Sequence, residues 1–350
     1  GWFKRLLGFS LEVTGPLGYI ESCSNIRSAL LQIGYWNSAL LRACLARRER
    51  VIVDYLEKAI DMSLVVHPSP QFDSLITWLG WLKRLPICIR PQAEAADAYL
   101  ANEKRIESIN FDSRIELPKL AAIWSEWLAD FRLTPPFAPR HGSGSTADSG
   151  RVRAQKWANT GWDRAARILL HYPDLRKVLD RPATLRKRVA KVVFVPKQAG
   201  KDRTICMEPA WLQFLQQGVA GQLVDYIHSR RSQLSMYINL YSQEVNRELC
   251  AWAYTRRLAT IDLSDASDSV SWSLIGKLCG KLPIYRYLLA TRSTHFTLLG
   301  KVHRSIKFAP MGSALCFPIE CILFASIVEL AYRIHYGQAS RGHHSGCSVY

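Results

Sequence analysis

Apolar residues recur at three-to-four spacing over residues 25–50 and 117–133, the period of a helix with one buried face, so the first 130 residues read as mostly helical. Pro86 and Pro91 mark a break before an alanine-rich helical run at 93–101. A Pro/Gly/Ser stretch follows at 134–150 and predicts a loop or linker. Residues 151–170 return to a helical period. At 191–207 the period becomes that of strands: Val-Val-Phe-Val at 192–195, a polar tip, then a second run at 204–207, a hairpin pattern. A long helix is expected over 210–231. A short buried strand is expected at 258–261, ending on Asp262, with a helix from about Ser271. A second hairpin is expected at 294–308 around Gly300, and a helix at 314–336. Strands mixed with helices, without regular βαβ alternation, predict an α+β fold.

Charge adds the first functional constraint. The 350 residues carry 46 Lys and Arg against 29 Asp and Glu, a net +17. Residues 151–210 alone hold fifteen basic and five acidic residues. Clustered positive charge suits a polyanion, because each neutralised phosphate releases counterions; the plainer reading is a solubilising basic surface. The nine cysteines include no Cys-x-x-Cys pair and fit reduced thiols in a cytosol. His343, His344 and Cys347 lack a fourth ligand and read as loop residues rather than a zinc site. The longest apolar stretch, 314–327, is interrupted by Pro318 and Glu320, so it reads as a buried core helix and not a membrane span.

Three segments carry candidate chemistry. Thr260-Ile-Asp-Leu-Ser-Asp-Ala-Ser-Asp-Ser269 places Asp262 at the end of its predicted strand, where a carboxylate could meet Mg²⁺. An EF-hand is excluded, since Ser267 and Ser273 stand where that loop needs Gly and Glu. Asp268 could equally cap the following helix. The hairpin tip brings Lys197, Lys201 and Arg203 together, a triphosphate site or a solvated turn. Gly312 and Ser313 precede a helix, where a glycine permits unusual backbone angles and the helix N-terminus attracts anions; an ordinary helix start reads the same way. The glycine pair in His141-Gly-Ser-Gly-Ser-Thr146 could cradle a phosphate, though a loop is the simpler reading.

In order and spacing, three motifs resemble those of the RNA-dependent RNA polymerases of positive-strand RNA bacteriophages, the levivirus replicase catalytic subunit, and more distantly narnavirus-like polymerases. They are Val195-Pro-Lys-Gln-Ala-Gly-Lys-Asp-Arg-Thr-Ile205 with Glu208-Pro-Ala-Trp211, Ile261-Asp-Leu-Ser-Asp-Ala-Ser-Asp-Ser269, and Pro310-Met-Gly-Ser-Ala-Leu-Cys-Phe-Pro-Ile-Glu320. The resemblance covers about residues 190–350. It implies a right-hand polymerase: a helical N-terminal region at 1–133, a loop at 134–150, a fingers-type region at 151–257 and a partial palm at 258–350. It further implies that Asp262 binds catalytic Mg²⁺ (or Mn²⁺ in its place), that Asp268 senses the ribose of the incoming nucleotide, and that Lys197, Lys201 and Arg203 line the path of the triphosphate. Gly312 and Ser313 would form a flexible loop near template and nucleotide.

The resemblance has two departures. Many RNA polymerases place an Asn in the helix after that loop to help read the 2′-hydroxyl, whereas this stretch holds Glu320 and no Asn, and Cys316 stands where phage relatives often have Thr. The family's Tyr-Gly-Asp-Asp motif would begin at Tyr350, so the 350 residues read as a fragment that is not expected to polymerise alone. The implied partners are an RNA template, nascent RNA, ribonucleoside triphosphates and host translation factors, with no membrane, in the cytoplasm of a bacterial host. Two other readings stay open: a reverse transcriptase-like palm, in which a bulky aromatic usually replaces Asp268, and a non-catalytic RNA-binding protein.

Overall fold

In the computed structural model the described residues are 2–59, 61, 63, 65–81, 83, 91–112, 114, 116–159, 161–172, 188–198, 201–230, 232–256, 258–259, 261 and 263–337. Asp262, Gly200 and the His343, His344 and Cys347 triplet lie outside them. Two compact units emerge: residues 1–95 with 194–203, and residues 96–193 with 204–350.

The first unit contains α1 (Trp2–Ile33), α2 (Ser38–Cys44), α3 (Arg47–Ala59) and α4 (Pro70–Trp81). The single helical period predicted at 25–50 is divided into three. Gly34 adopts φ +80°, which ends α1, and Asn37 then caps α2 by accepting the Leu40 amide at 3.0 Å. Their apolar faces close over Cys23, Ile26, Leu30, Val53, Leu56 and Phe72.

The second unit begins within α5 (Gln92–Glu107) and continues through α6 (Leu117–Leu128) and α7 (Arg153–Ala158). A four-stranded sheet has the order β2-β1-β3-β4, with β1 Val189–Gln198, β2 Lys201–Met207, β3 His295–Leu298 and β4 Lys301–Arg304. β1 runs parallel to β3, with Ala190 opposite Phe296. β3 and β4 pair antiparallel and close at Leu298 and Lys301. The two residues between them, Leu299 and Gly300, have φ +47° and +80°, the doubly left-handed turn whose twist suits a two-residue hairpin. Both predicted hairpins are therefore present.

The strand predicted at 258–261 is not seen among the described residues of that span. Residues 258, 259 and 261 have no strand geometry, Ile261 is 79% exposed and Leu263 is 50% exposed. A short apolar run becomes a buried strand only if a ladder partner is supplied, and no described strand pairs with this one.

The core of this unit forms where α6 meets α8 (Ala210–Ile227), α12 (Trp272–Cys279), α13 (Pro283–Thr291) and α14 (Cys316–Tyr336); short helices α9 (Glu244–Ala251), α10 (Ala253–Arg256) and α11 (Ala266–Ser269) lie between α8 and α12 in the chain. Trp124, Trp127, Phe131, Trp211 and Phe214 are almost fully buried there, each worth roughly 1.5–3 kcal/mol of apolar burial. Trp124 Nε1 donates to Ser326 Oγ at 2.9 Å, and Arg333 pairs with both Glu126 and Glu329, tying α6 to α14. The apolar stretch read as a core helix is α14, as expected. Among the described residues, no helix is long and apolar enough to cross a membrane.

Residues 134–150 form a loop, and two of its glycines turn their carbonyls onto a buried lysine. Lys156, 2% exposed, donates to Gly142 O at 2.8 Å and Gly144 O at 2.6 Å. The loop wraps a cation at these two carbonyls. Asp148 from the same loop accepts the Ala210 amide at 2.9 Å and so caps α8.

Candidate active site

The segment around Asp268 is held from three sides. Asp265 takes the left-handed conformation, φ 50° and ψ 38°, and so starts the short turn of α11. Ser269 Oγ closes that turn on Asp265 O at 2.8 Å. Beyond it, Ser271 caps α12 by accepting the Leu274 amide at 3.1 Å. Ser271, and not Asp268, is therefore the cap. The main chain at 270–272 then bridges residues 306–308: Trp272 N donates to Ile306 O at 2.9 Å and Phe308 N to Val270 O at 2.8 Å. This bridge sets Lys307 beside α11.

Lys307 is fully buried, and its Nζ lies 3.1 Å from Asp268 Oδ1 and 3.6 Å from Glu103 Oε1. It also sits 3.4 Å from the centre of the Tyr99 ring, a desolvated cation–π contact. Asp268 keeps a 20% exposed side chain, whereas Glu103 keeps 7%. Burial raises the Glu103 pKa, and the Lys307 charge opposes that rise. Glu320 on α14 is likewise raised, first by burial and then by the negative charge of Asp268. Asp268 and Glu320 therefore share one electrostatic neighbourhood, with Cys316 and Ser267 between them.

The loop before α14 is fixed by one glycine. Gly312 adopts φ +119°, and a Cβ there would lie 2.2 Å from Cys206 O, an impossible approach to a main-chain atom. That closeness lets Cys206 N donate to Met311 O at 2.7 Å, joining the loop to β2. Ser313 is 9% exposed; its amide donates to Pro310 O and its carbonyl accepts the Cys316 amide. Gln216 of α8 accepts the Ala314 amide at 3.2 Å and donates to Thr291 O at 2.8 Å.

Behind this loop lies Glu208, 1% exposed and accepting a short hydrogen bond from Ser293 Oγ. Burial pushes its pKa up to about 7, against the hydrogen bonds of Ser293 and Gln216 and the charges of Arg292 and Arg188. Arg292 spends its guanidinium on the carbonyls of Ser305, Lys307 and Phe308. Arg188 spends its own on Asp163 and on the carbonyls of Leu289, Ala290 and Arg292.

Of the residues singled out in the sequence, Asp268, Gly312 and Ser313 belong to the second unit, where α11 packs against α14. Lys197, Lys201 and Arg203 belong to the first. Lys197 and Arg203 are exposed and Lys201 opens β2. Asp262 is outside the described residues. Among the described residues, no three His, Cys, Asp or Glu side chains converge as metal ligands. Asp268 is committed to a lysine, and Glu320 holds its proton more tightly than a free carboxyl. The described groups do not by themselves fit a divalent cation. Lys307, Glu103 and Asn102 went unrecognised in the sequence. The one available signal was a lysine inside the apolar run Ile306-Lys-Phe-Ala309, and it names no partner.

Residues 162–343, just over half of the chain, match the family described as RNA replicase, beta-chain. The RNA-directed RNA polymerase beta chain of Escherichia phage MS2 is 37% identical over 151 residues, 42% of this chain and 26% of that relative. The RNA-directed RNA polymerase subunit beta of Escherichia virus Qbeta is 37% identical over 143 residues, 40% of this chain and 23% of the relative. That of Enterobacteria phage SP is 38% identical over 143 residues, with the same shares. The chain thus spans about a quarter of the length of the curated relatives it matches.

Proposed function

The chain belongs to the RNA replicase beta-chain family, and from that premise we propose that it is part of the catalytic subunit of an RNA-directed RNA polymerase of a levivirus-like bacteriophage, joining ribonucleotides on an RNA template. The observation that carries the reading is that the matched span, 162–343, contains the basic hairpin, Asp268 and the Gly312 loop in one order. The right-hand division into fingers and palm is part of the same proposal.

Each group has a task in this reading. Lys197, Lys201 and Arg203 neutralise the triphosphate, with Arg203 able to give paired contacts that a lysine cannot. Asp268, whose side chain is partly exposed, accepts from the ribose 2′-hydroxyl. Gly312 lets the main chain approach nucleotide and template closely. Asp262 is assigned to Mg²⁺ on its motif alone; the metal, when bound, stabilises the charge that develops in phosphoryl transfer. The substrates are ribonucleoside triphosphates, the partners are template and nascent RNA, and host translation factors and a bacterial host complete the proposal.

The test is incorporation of labelled ribonucleotides on an RNA template by the full-length replicase carrying these residues. Asp262→Asn should abolish incorporation and leave salt-sensitive RNA binding in place. Full incorporation by that variant would exclude the assignment of Asp262. Binding with no incorporation by the unaltered full-length replicase would favour a non-catalytic RNA-binding protein, and preference for deoxyribonucleotides would favour a reverse transcriptase.

A further inference from the structure

Helix α5 lies outside the 162–343 span that matches the family, and no chemistry is legible in its sequence. Yet one face of it is spent on the Asp268 segment. Asn102 Nδ2 donates to Asp268 O at 2.7 Å. Arg105 reaches Ser269 Oγ at 2.9 Å and is itself braced by Asn102 Oδ1 at 2.7 Å. Glu103 Oε2 accepts the Ile306 amide at 2.7 Å, while its Oε1 faces Lys307. Tyr99 lies under the Lys307 ammonium and packs edge-on against Phe296 of β3.

We propose that α5 is a positioning element for nucleotide selection: Glu103, acting through the buried Lys307, and Asn102, acting through the main chain, set the place from which the Asp268 carboxylate reads the ribose. The inference rests on Asp268 being the ribose-sensing group. Lys307 is fully buried and must divide its charge between two carboxylates. Glu103 takes one share and is itself buried. This leaves Asp268 only partly neutralised, with its exposed portion free to accept a hydroxyl. Without the charge on Glu103, Lys307 would turn wholly to Asp268 and compete with the ribose for it.

The test compares ribo- and deoxyribonucleotide incorporation by the full-length replicase, with thermal unfolding as the control for folding. Glu103→Gln keeps the shape of the side chain and removes its charge. Asn102→Ala removes the main-chain tether. Each should lower the ribo-over-deoxy ratio of kcat/KM by roughly tenfold, the worth of one charged hydrogen bond. The change should fall on ribonucleotide KM, with deoxyribonucleotide use almost unchanged, because only the 2′-hydroxyl senses the difference. Glu103→Asp should restore part of the ratio. A parallel loss for both sugars, or an unchanged ratio, would reduce α5 to a scaffold and overturn the proposal. Asp268→Asn separates the two levels: if it lowers the ratio while the α5 variants do not, only the role of α5 fails. If Asp268→Asn leaves the ratio intact, the ribose reading fails and the proposal with it. Should Glu103→Gln not fold, Asn102→Ala, only part-buried, decides the matter.

Discussion

A carboxyl in the wrong solvent keeps its proton, and Glu208 is such a carboxyl. In an unfolded chain it would titrate near 4.5; in the folded protein burial raises this to about 7. Between those values the native state holds a proton that the unfolded state has released. Stability from this group is therefore complete below about pH 4.5, falls as pH rises to about 7, and is level above. The slope in that window can reach about 1.4 kcal/mol per pH unit. Glu208→Gln should flatten it, giving unfolding curves whose midpoints move less between pH 5 and 7 than those of the unaltered protein. Denaturant melts across that range check this, and an unchanged slope would mean that Glu208 is ionised throughout.

Among the elements, α12 offers a clean measure of how local signals build the site. Ser271 caps the helix and lies on the bridge that holds Lys307. Ser271→Ala should cost about 1 kcal/mol, seen as a lower chemical-denaturation midpoint. The start of that helix, the Leu299–Gly300 turn, the basic hairpin and α14 were all legible in the sequence, because each is written in neighbouring residues; the cap itself was assigned to Asp268 and belongs to Ser271. Three features were not. The apolar run at 258–261 could not say whether a ladder partner exists for it. The glycines at 142 and 144 could not say that their carbonyls would hold the buried Lys156. The attachment of α5 to Asp268 was hidden because Asn102 and Asp268 are 166 positions apart, and no periodicity reaches that far. The residues of the motifs could be named from the sequence, but the groups that hold them in place could not.

For the whole molecule, the basic excess is not all one thing. Lys156 and Arg188 belong to the stretch that carries most of the charge, and both are consumed by internal carbonyls. Lys197 and Arg203 are exposed. Removing a contact to phosphate should shallow the dependence of RNA binding on salt by about 0.7 in log–log slope for a single strand. Lys197→Ala should do this with little effect on stability. Lys156→Gln should do the opposite, lowering the unfolding midpoint and leaving the slope alone. Titrations at several salt concentrations distinguish the two, and equal slopes for all three proteins would remove Lys197 from the RNA path.

The reach of α5 also has a consequence for synthesis on the ribosome. Glu103 leaves the exit tunnel 203 residues ahead of Ile306, the amide it will accept. At about 5–20 residues per second, that interval is roughly 10–40 s. During it the helix must wait with the Glu103 carboxylate unanswered while the later strands are still being made. Nucleotide selection would then be set only after Ile306 and Lys307 have emerged to meet α5.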